Sequence, residues 1–132
     1  MSQAILDAVQ TRLAASTIAT TLGNRFALSI AQTDTALPNM IYDVESIDSQ
    51  RIFGGHERYE ATFVFSFAAK ASYGASIHTL SSQLETALTG STLSPTGFDR
   101  LTFTKLSNGV PSFADDAWTM SDRYRAVGFK IS

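Results

Sequence analysis

The strongest alternation of apolar and polar residues lies in the run YEATFVFSF, from Tyr59 to Phe67. An aromatic or small apolar residue stands at every second position, which predicts a β-strand with one buried face. A second alternation puts Met40, Tyr42 and Val44 on one side of a preceding strand. We therefore expect two paired strands, with their aromatic sides turned toward the same core.

The segment between these strands, residues 49–56, is polar and contains two glycines, which predicts a turn. Ile52 and Phe53 are apolar residues at the tip of this turn. Exposed apolar residues on a loop suggest contact with a partner. The alternative is that the loop folds back and buries them, and the sequence leaves both possibilities open.

Apolar residues at three- and four-residue spacing predict two helices, the second ended by Gly90. Their buried faces are formed by Ile5, Leu6, Val9 and Leu13, and by Ile77, Leu80, Leu84 and Leu88. A short turn carrying Ile18 and Leu22 follows the first helix. His78 follows Ile77, so we expect it to lie beside the apolar stripe as a partly buried structural histidine.

Further strands are predicted at 25–30, 98–105 and 118–131, and Gly128 in the last of them is compatible with a bulge. Asn108-Gly109 suits a tight turn, although Pro111 and the aspartates at 115 and 116 favour a longer loop. The predicted fold is one α+β domain spanning residues 1–132. It has a mostly antiparallel sheet of four to five strands, with two helices packed on one face.

Composition supports a globular chain, with 44% hydrophobic and 17% charged residues among 132. The net charge of −2 argues against sequence-independent binding to DNA. The absence of cysteine excludes disulfides, thiolate metal sites and a cysteine nucleophile. No apolar run approaches ~18 residues and the first residues lack a basic start, so we expect neither a membrane span nor a signal peptide.

Residues with catalytic potential do not form a recognisable set. His56 with Glu57 is only a fragment of a metal site, since hydrolytic sites usually need about three protein ligands. Asp115 and Asp116 lack the spacing of a calcium loop. No serine has a recognisable base partner. The sequence therefore predicts neither a catalytic site, a metal site nor a cofactor, and the chain is not expected to be an enzyme.

Basic residues alternate with aromatic ones on the predicted strands. A nucleic-acid-binding sheet would use such a pattern for phosphate contacts and base stacking. Any half-buried sheet also places aromatic residues inward and charges outward, and the acidic net charge favours this second interpretation. The residues that we consider most suited to contact another subunit or partner are Arg51, Ile52, Phe53, His56, Arg58, Arg123 and Arg125.

Four segments, in this order along most of the chain, carry a family resemblance. They are TLGNRF at 21–26, ALPNMIY at 36–42, YEATFVFSF at 59–67 and DRYRAVGF at 122–129. Their order and spacing resemble the phage tail terminator family, also called tail-completion or head–tail joining proteins. The region from residue 90 to 118 carries no specific resemblance.

The resemblance implies a structural role in the virion of a tailed phage, or of a phage-derived particle such as a gene transfer agent. Such proteins form a ring, commonly a hexamer, that caps the tail tube, stops its polymerisation and joins head or neck proteins. The implied partners are other copies of the chain, the tail tube protein and head or neck connector proteins. DNA could pass through the lumen without sequence-specific binding, and no membrane is involved. The implied location is the tail–neck junction, after assembly in the host cytoplasm.

Two alternatives stay open at this point. One is another small head–tail connector or minor tail protein with a related fold. The other is a small-molecule-binding α+β domain or enzyme, which a deep pocket lined by His56, Glu57 or Asp115 would support.

Overall fold

The computed structural model describes residues 3–22, 26–28, 39–51, 57–70, 74–90, 92–95, 97–114 and 117–130. The helices are α1 (Gln3–Ala14), α2 (Thr17–Leu22) and α3 (Gly74–Thr89). The strands are β1 (Phe26–Leu28), β2 (Asn39–Arg51), β3 (Glu57–Lys70), β4 (Phe98–Ser107), β5 (Ser112–Ala114) and β6 (Ala117–Lys130).

The six strands form one sheet in the order β1-β2-β3-β6-β4, and β5 also pairs with β6. β3 and β6 form its centre, antiparallel along fourteen residues each, from Glu57 opposite Lys130 to Lys70 opposite Ala117. β1 is the one parallel strand of the described sheet, and it pairs with β2 at residues 40–42. The strand with the strongest sequence alternation, β3, is thus one of the two central strands, and its inward phenylalanines are fully buried.

The helices cover one face of this sheet. Phe63, Phe65 and Phe67 are at most 1% exposed and belong to one core with the apolar faces of α1 and α3. Burying each ring contributes about 1.5–3 kcal/mol relative to leaving it exposed. The predicted stripe of Ile77, Leu80, Leu84 and Leu88 is fully buried in the same core.

The predicted fold class, an α+β domain with a mostly antiparallel sheet and helices on one face, is confirmed. The structure contains more short elements than we expected, because the turn after α1 is the helix α2 and β5 is an added strand. The strand predicted at 25–30 is the three-residue β1. The expectation for His78 was wrong: it is exposed on α3, since it follows Ile77 by about 100° around the helix.

β2 contains a bulge, and this bulge changes which residues face the helices. Met40, Tyr42 and Val44 lie opposite Phe67, Phe65 and Phe63, but the register then shifts between Val44 and Ser46. Ile47 therefore lies opposite Ala61 on the helix side.

Beyond the bulge, the described side chains of β2 are exposed. Residues 46–51 of β2 pair with residues 57–62 of β3, and together we call them the β2–β3 arm. Ile47 is 39% exposed in this arm, and Asp48, Ser49 and Gln50 are exposed as well.

Candidate assembly surfaces

The face of the sheet that lies opposite the helices carries the predicted arginines. Arg123 and Arg125 alternate along β6 with the buried Asp122, Tyr124 and Ala126. Arg125 lies opposite Thr62 of β3 and Arg123 opposite Val64, so both point away from the core. We call this surface the open face.

Ion pairs connect neighbouring strands across the open face. Arg123 Nε lies 2.9 Å from Glu45 Oε2, which joins β6 to the bulge of β2. Glu60 holds two arginines: Arg58 Nη1 lies 2.9 Å from its Oε2, and Arg125 Nε lies 3.7 Å from its Oε1. All of these side chains are between 31% and 50% exposed, so each pair contributes at most about 1 kcal/mol to stability.

The open face is therefore polar and internally paired, which does not suit an apolar docking surface. A face of this kind can orient a partner through complementary charge while remaining hydrated.

Of the predicted contact residues, the structure brings Arg58 and Arg125 together on Glu60 and places Arg123 next along β6. Arg51 ends β2 opposite Glu57, and its side chain is not among those described. Ile52, Phe53 and His56 lie outside the described residues, as do Asp115 and Asp116.

The edge of the sheet formed by β4 and β5 has an unexpected shape. Both strands pair with the same edge of β6, from Phe98 opposite Lys130 to Ala114 opposite Ala117. They therefore act as one edge strand that is interrupted at residues 108–111. No tight turn forms at Asn108-Gly109, because the chain continues past it in the same direction. The loop there is shorter than the longer loop that we expected, since residues 112–114 form β5.

Gly109 sits against the backbone of β6 in this interruption. A Cβ atom at residue 109 would lie only 2.1 Å from the carbonyl oxygen of Ser121, so no other amino acid fits without movement of the backbone. The Gly109 N–H donates a hydrogen bond to Asp122 Oδ1 at 3.1 Å. The interruption is thus held against the sheet at a defined position.

Apolar side chains are exposed along this interrupted edge. Leu106 is 47% exposed, Val110 85% and Phe113 51%, and together we call them the bulge surface. Phe113 packs against Trp118, with their ring centroids 5.2 Å apart. Among the described residues, Ile47 in the β2–β3 arm is the other large hydrophobic side chain with comparable exposure.

A buried polar cluster lies beneath the bulge surface. The Asp122 carboxylate is fully buried, and its Oδ2 accepts a hydrogen bond from Ser81 Oγ of α3 at 2.6 Å. Lys105 Nζ of β4 lies 3.6 Å from the same oxygen and 3.4 Å from Glu85 Oε1. The cluster connects α3, β4 and β6, and through Gly109 it also holds the segment 108–111. A buried carboxylate needs such partners, because an unpaired charge in the core is strongly unfavourable.

Tyr124 belongs to the same environment. Its hydroxyl is buried without a hydrogen-bond partner among the described residues. Burial raises the pKa of Tyr124 well above its ordinary value, and the carboxylates of Asp122 and Glu85 raise it further. The phenol therefore stays protonated throughout the physiological range.

Sequence reasoning missed this cluster. The signal was present in the last strand, where Met120, Asp122, Tyr124 and Ala126 occupy the inward positions. An aspartate at an inward position of a strand predicts a buried partner, although it does not predict which helix or strand supplies it.

A shallow groove of about 550 Å³ lies between α1 and residues 93–95. Small residues of α1, including Ala4 and Ala8, line it, and Asp7 and Arg12 are its charged residues. Arg12 donates hydrogen bonds to the carbonyl oxygens of Ala87 and Thr92, both at 3.1 Å. Its role in the described structure is to fix α1 to the C-terminal end of α3.

Within the part of the chain that the structure describes, no group of three or more histidine or acidic side chains could hold a metal ion. No helix among the described residues is both long and apolar enough to cross a membrane.

Comparison with known proteins relates the fold to two solved structures. One is a chain from the virion of a native gene transfer agent particle, with a TM-score of 0.69 and 19% sequence identity. The likeness covers 97% of this chain and 99% of that one. The second carries no functional name; its TM-score is 0.70 at 21% identity, over 97% of this chain and 96% of that chain.

No protein-family model matches the chain, and no curated protein matches it either. At these identities the two solved structures establish a shared fold along nearly the whole length of each chain.

Proposed function

We propose that this chain is a structural virion protein of a tailed phage or phage-derived particle, and that it acts as a ring-forming tail terminator. The observation that carries the proposal is the end-to-end match to a chain of the gene transfer agent virion, in which 97% of one chain corresponds to 99% of the other. The order of the four sequence segments that resemble the tail terminator family supports the same role.

The surfaces of the domain are consistent with an assembly role. The open face has paired charges, and the bulge surface and the β2–β3 arm expose apolar side chains at two separate places. A subunit that caps a polymer needs such separate surfaces, because it contacts identical neighbours within its ring and a different protein on the tube. In this role the ring presents one face that matches the last tube ring and another that does not continue the polymer.

The proposed partners are other copies of this chain, the tail tube protein and the head or neck proteins. We propose a hexamer for the ring. The proposed location is the tail–neck junction of the virion. DNA can pass through the lumen of such a ring without sequence-specific binding. The role requires neither catalysis nor a cofactor.

Purified protein, alone and mixed with the tail tube protein from the same particle, tests this proposal. We expect closed rings in negative-stain images and a particle several times the subunit mass of 14.3 kDa in light scattering. Monomer under both conditions would contradict the proposal. A ring that binds head or neck proteins but not the tube would instead support a connector elsewhere in the neck, because the gene transfer agent match names a particle and not a position within it.

A further inference from the structure

We propose that the bulge surface of one copy binds the β2–β3 arm of the next copy around the ring. Leu106, Val110 and Phe113 form one side of this contact, and Ile47 provides the apolar centre of the other. The inference rests on the proposed ring and specifies which two surfaces close it.

The two surfaces lie at opposite corners of the sheet. Phe113 is opposite Trp118 near the start of β6, whereas Ile47 is opposite Ala61, which itself lies opposite Ala126. These positions are roughly 25 Å apart along β6 at about 3.3 Å per residue. They are also on opposite sides of the β3–β6 pair. Two different patches at opposite corners suit a head-to-tail contact, which repeats from subunit to subunit and closes into a ring.

The bulge surface is held in place rather than left on a free loop. Asp122, which is fully buried, accepts the hydrogen bond of the Gly109 backbone, and the next residue, Val110, is 85% exposed. Gly109 itself rests on the Ser121 carbonyl, where a side chain has no room. A pre-ordered apolar surface binds with a smaller entropic cost than a flexible one.

Side chains, and not strand addition, make this contact. The β4–β5 edge has register shifts near Phe98–Leu101 and Lys105–Ser107, and Pro111 lacks a backbone N–H. Such features prevent a neighbouring strand from continuing the sheet. Among the described residues, only β1 pairs with the outer edge of β2, at residues 40–42. Further along that edge, the exposed carboxylates of Asp43 and Asp48 disfavour pairing with another strand.

The size of the surface fits a ring better than an isolated pair. The three side chains of the bulge surface together expose on the order of a few hundred Å² of apolar area, which is similar to the largest apolar patch on a typical monomer. A stable two-body interface buries roughly 800 Å² on each partner. One such contact is therefore weak alone, and two contacts per subunit, made in a closed ring or on the end of a tube, strengthen each other.

The chain has no cysteine, so single cysteines report contacts without background. Ile47→Cys and Val110→Cys are prepared as separate proteins, mixed, assembled with tail tube protein where needed, and treated with a short bismaleimide. We expect crosslinked dimers from the mixture and little from either protein alone. Ser82→Cys, exposed on α3, is the control and should not crosslink to Ile47→Cys.

Val110→Asp should fold normally and raise the concentration needed for rings roughly tenfold or more, as a charge in an apolar contact does.

The outcomes separate this inference from the proposed function. Rings with only Val110-to-Val110 crosslinks would show a self-paired patch and overturn the inference while leaving the ring intact. Rings without crosslinks at these positions, or unaffected by Val110→Asp, would overturn it in the same way. Absence of any assembly, with or without tube protein, would overturn the proposed function and this inference together.

Discussion

The backbone N–H of Gly109 donates a hydrogen bond to the buried carboxylate of Asp122, 3.1 Å away, and this bond links an exposed edge to the core. The same carboxylate binds Ser81 of α3 and lies near Lys105 of β4. The shape of the β4–β5 edge therefore depends on a polar cluster that also holds the helix layer to the sheet.

Replacing Asp122 with Asn tests this dependence. The amide keeps one acceptor oxygen but removes the charge beside Lys105, so we expect a loss of about 1–3 kcal/mol in the free energy of unfolding. Urea unfolding followed by circular dichroism measures the change. Asp99→Asn, at an exposed position of β4, is the matched control and should stay within about 0.5 kcal/mol. Equal unfolding midpoints for the two variants would show that the cluster does not stabilise the fold.

Gly109→Ala probes the close approach to β6. The added Cβ would meet the Ser121 carbonyl oxygen at 2.1 Å, so the segment 108–111 must move and its hydrogen bond to Asp122 weakens. We expect a loss of about 2 kcal/mol or more in the free energy of unfolding. Gly97→Ala is the control: its φ is 86° and nothing lies within 4 Å of the new Cβ, so only backbone strain of about 1 kcal/mol applies. A smaller effect at Gly109 than at Gly97 would contradict the packing described here.

Tyr124→Phe removes a buried hydroxyl that has no hydrogen-bond partner among the described residues. We expect the free energy of unfolding to stay the same or rise by up to about 1 kcal/mol near neutral pH. Tyr42→Phe is the contrast, since Tyr42 Oη donates to Gln10 Oε1 at 2.5 Å and its loss should cost about 1 kcal/mol. A larger loss for Tyr124→Phe than for Tyr42→Phe would mean that the Tyr124 hydroxyl has a stabilising partner.

The same tyrosine predicts how stability changes in alkaline solution. Burial, then the Asp122 and Glu85 carboxylates, raise the pKa of Tyr124 above the ordinary value of 10.0. The unfolded chain loses this proton near pH 10 while the folded chain keeps it, so the stabilising contribution is complete below pH ~10 and declines above it. Urea midpoints at pH ~8 and pH ~11 should therefore differ less for Tyr124→Phe than for the parent protein. Burial and Asp7 raise the pKa of Tyr42 as well, so part of the alkaline loss remains in that variant.

Glu60→Gln tests whether the open face stabilises the fold. Glu60 is the partner of both Arg58 and Arg125, yet all three side chains are at least 31% exposed. We expect a loss below about 1 kcal/mol, which should shrink further as salt is added. Glu45→Gln, which removes the single pair with Arg123, is the comparison. A loss above about 2 kcal/mol would indicate that the face is packed rather than solvated.

Much of the fold was predictable from local patterns. The alternation that ends at Phe67 and the spacing of Leu80, Leu84 and Leu88 reflect repeats of two and of three to four residues, which any strand or helix with one buried face imposes. The same rule places Arg123 and Arg125 on the face of β6 opposite to that of Tyr124. These features need only the chain itself and a core on one side.

The features that escaped prediction depend on contacts distant in sequence. The bulge at Val44 reverses the alternation of β2, so the inward position of Ile47 could not be read by counting residues. Asn108-Gly109 has the composition of a turn, but its conformation is set by β6 and by Asp122. For the assembly surfaces, the sequence identified Arg58, Arg123 and Arg125 as outward but could not show that they pair with acidic neighbours within one chain.

The most direct test of the central claim is the mass of the particle formed on tail tube protein. Negative-stain imaging should show a closed ring on one end of short tubes, and light scattering should show that each capped tube gains a mass near six times the 14.3 kDa subunit for a hexamer. Added in excess, the protein should also stop tubes from lengthening. Monomer that neither binds the tube ends nor limits their length would contradict the account.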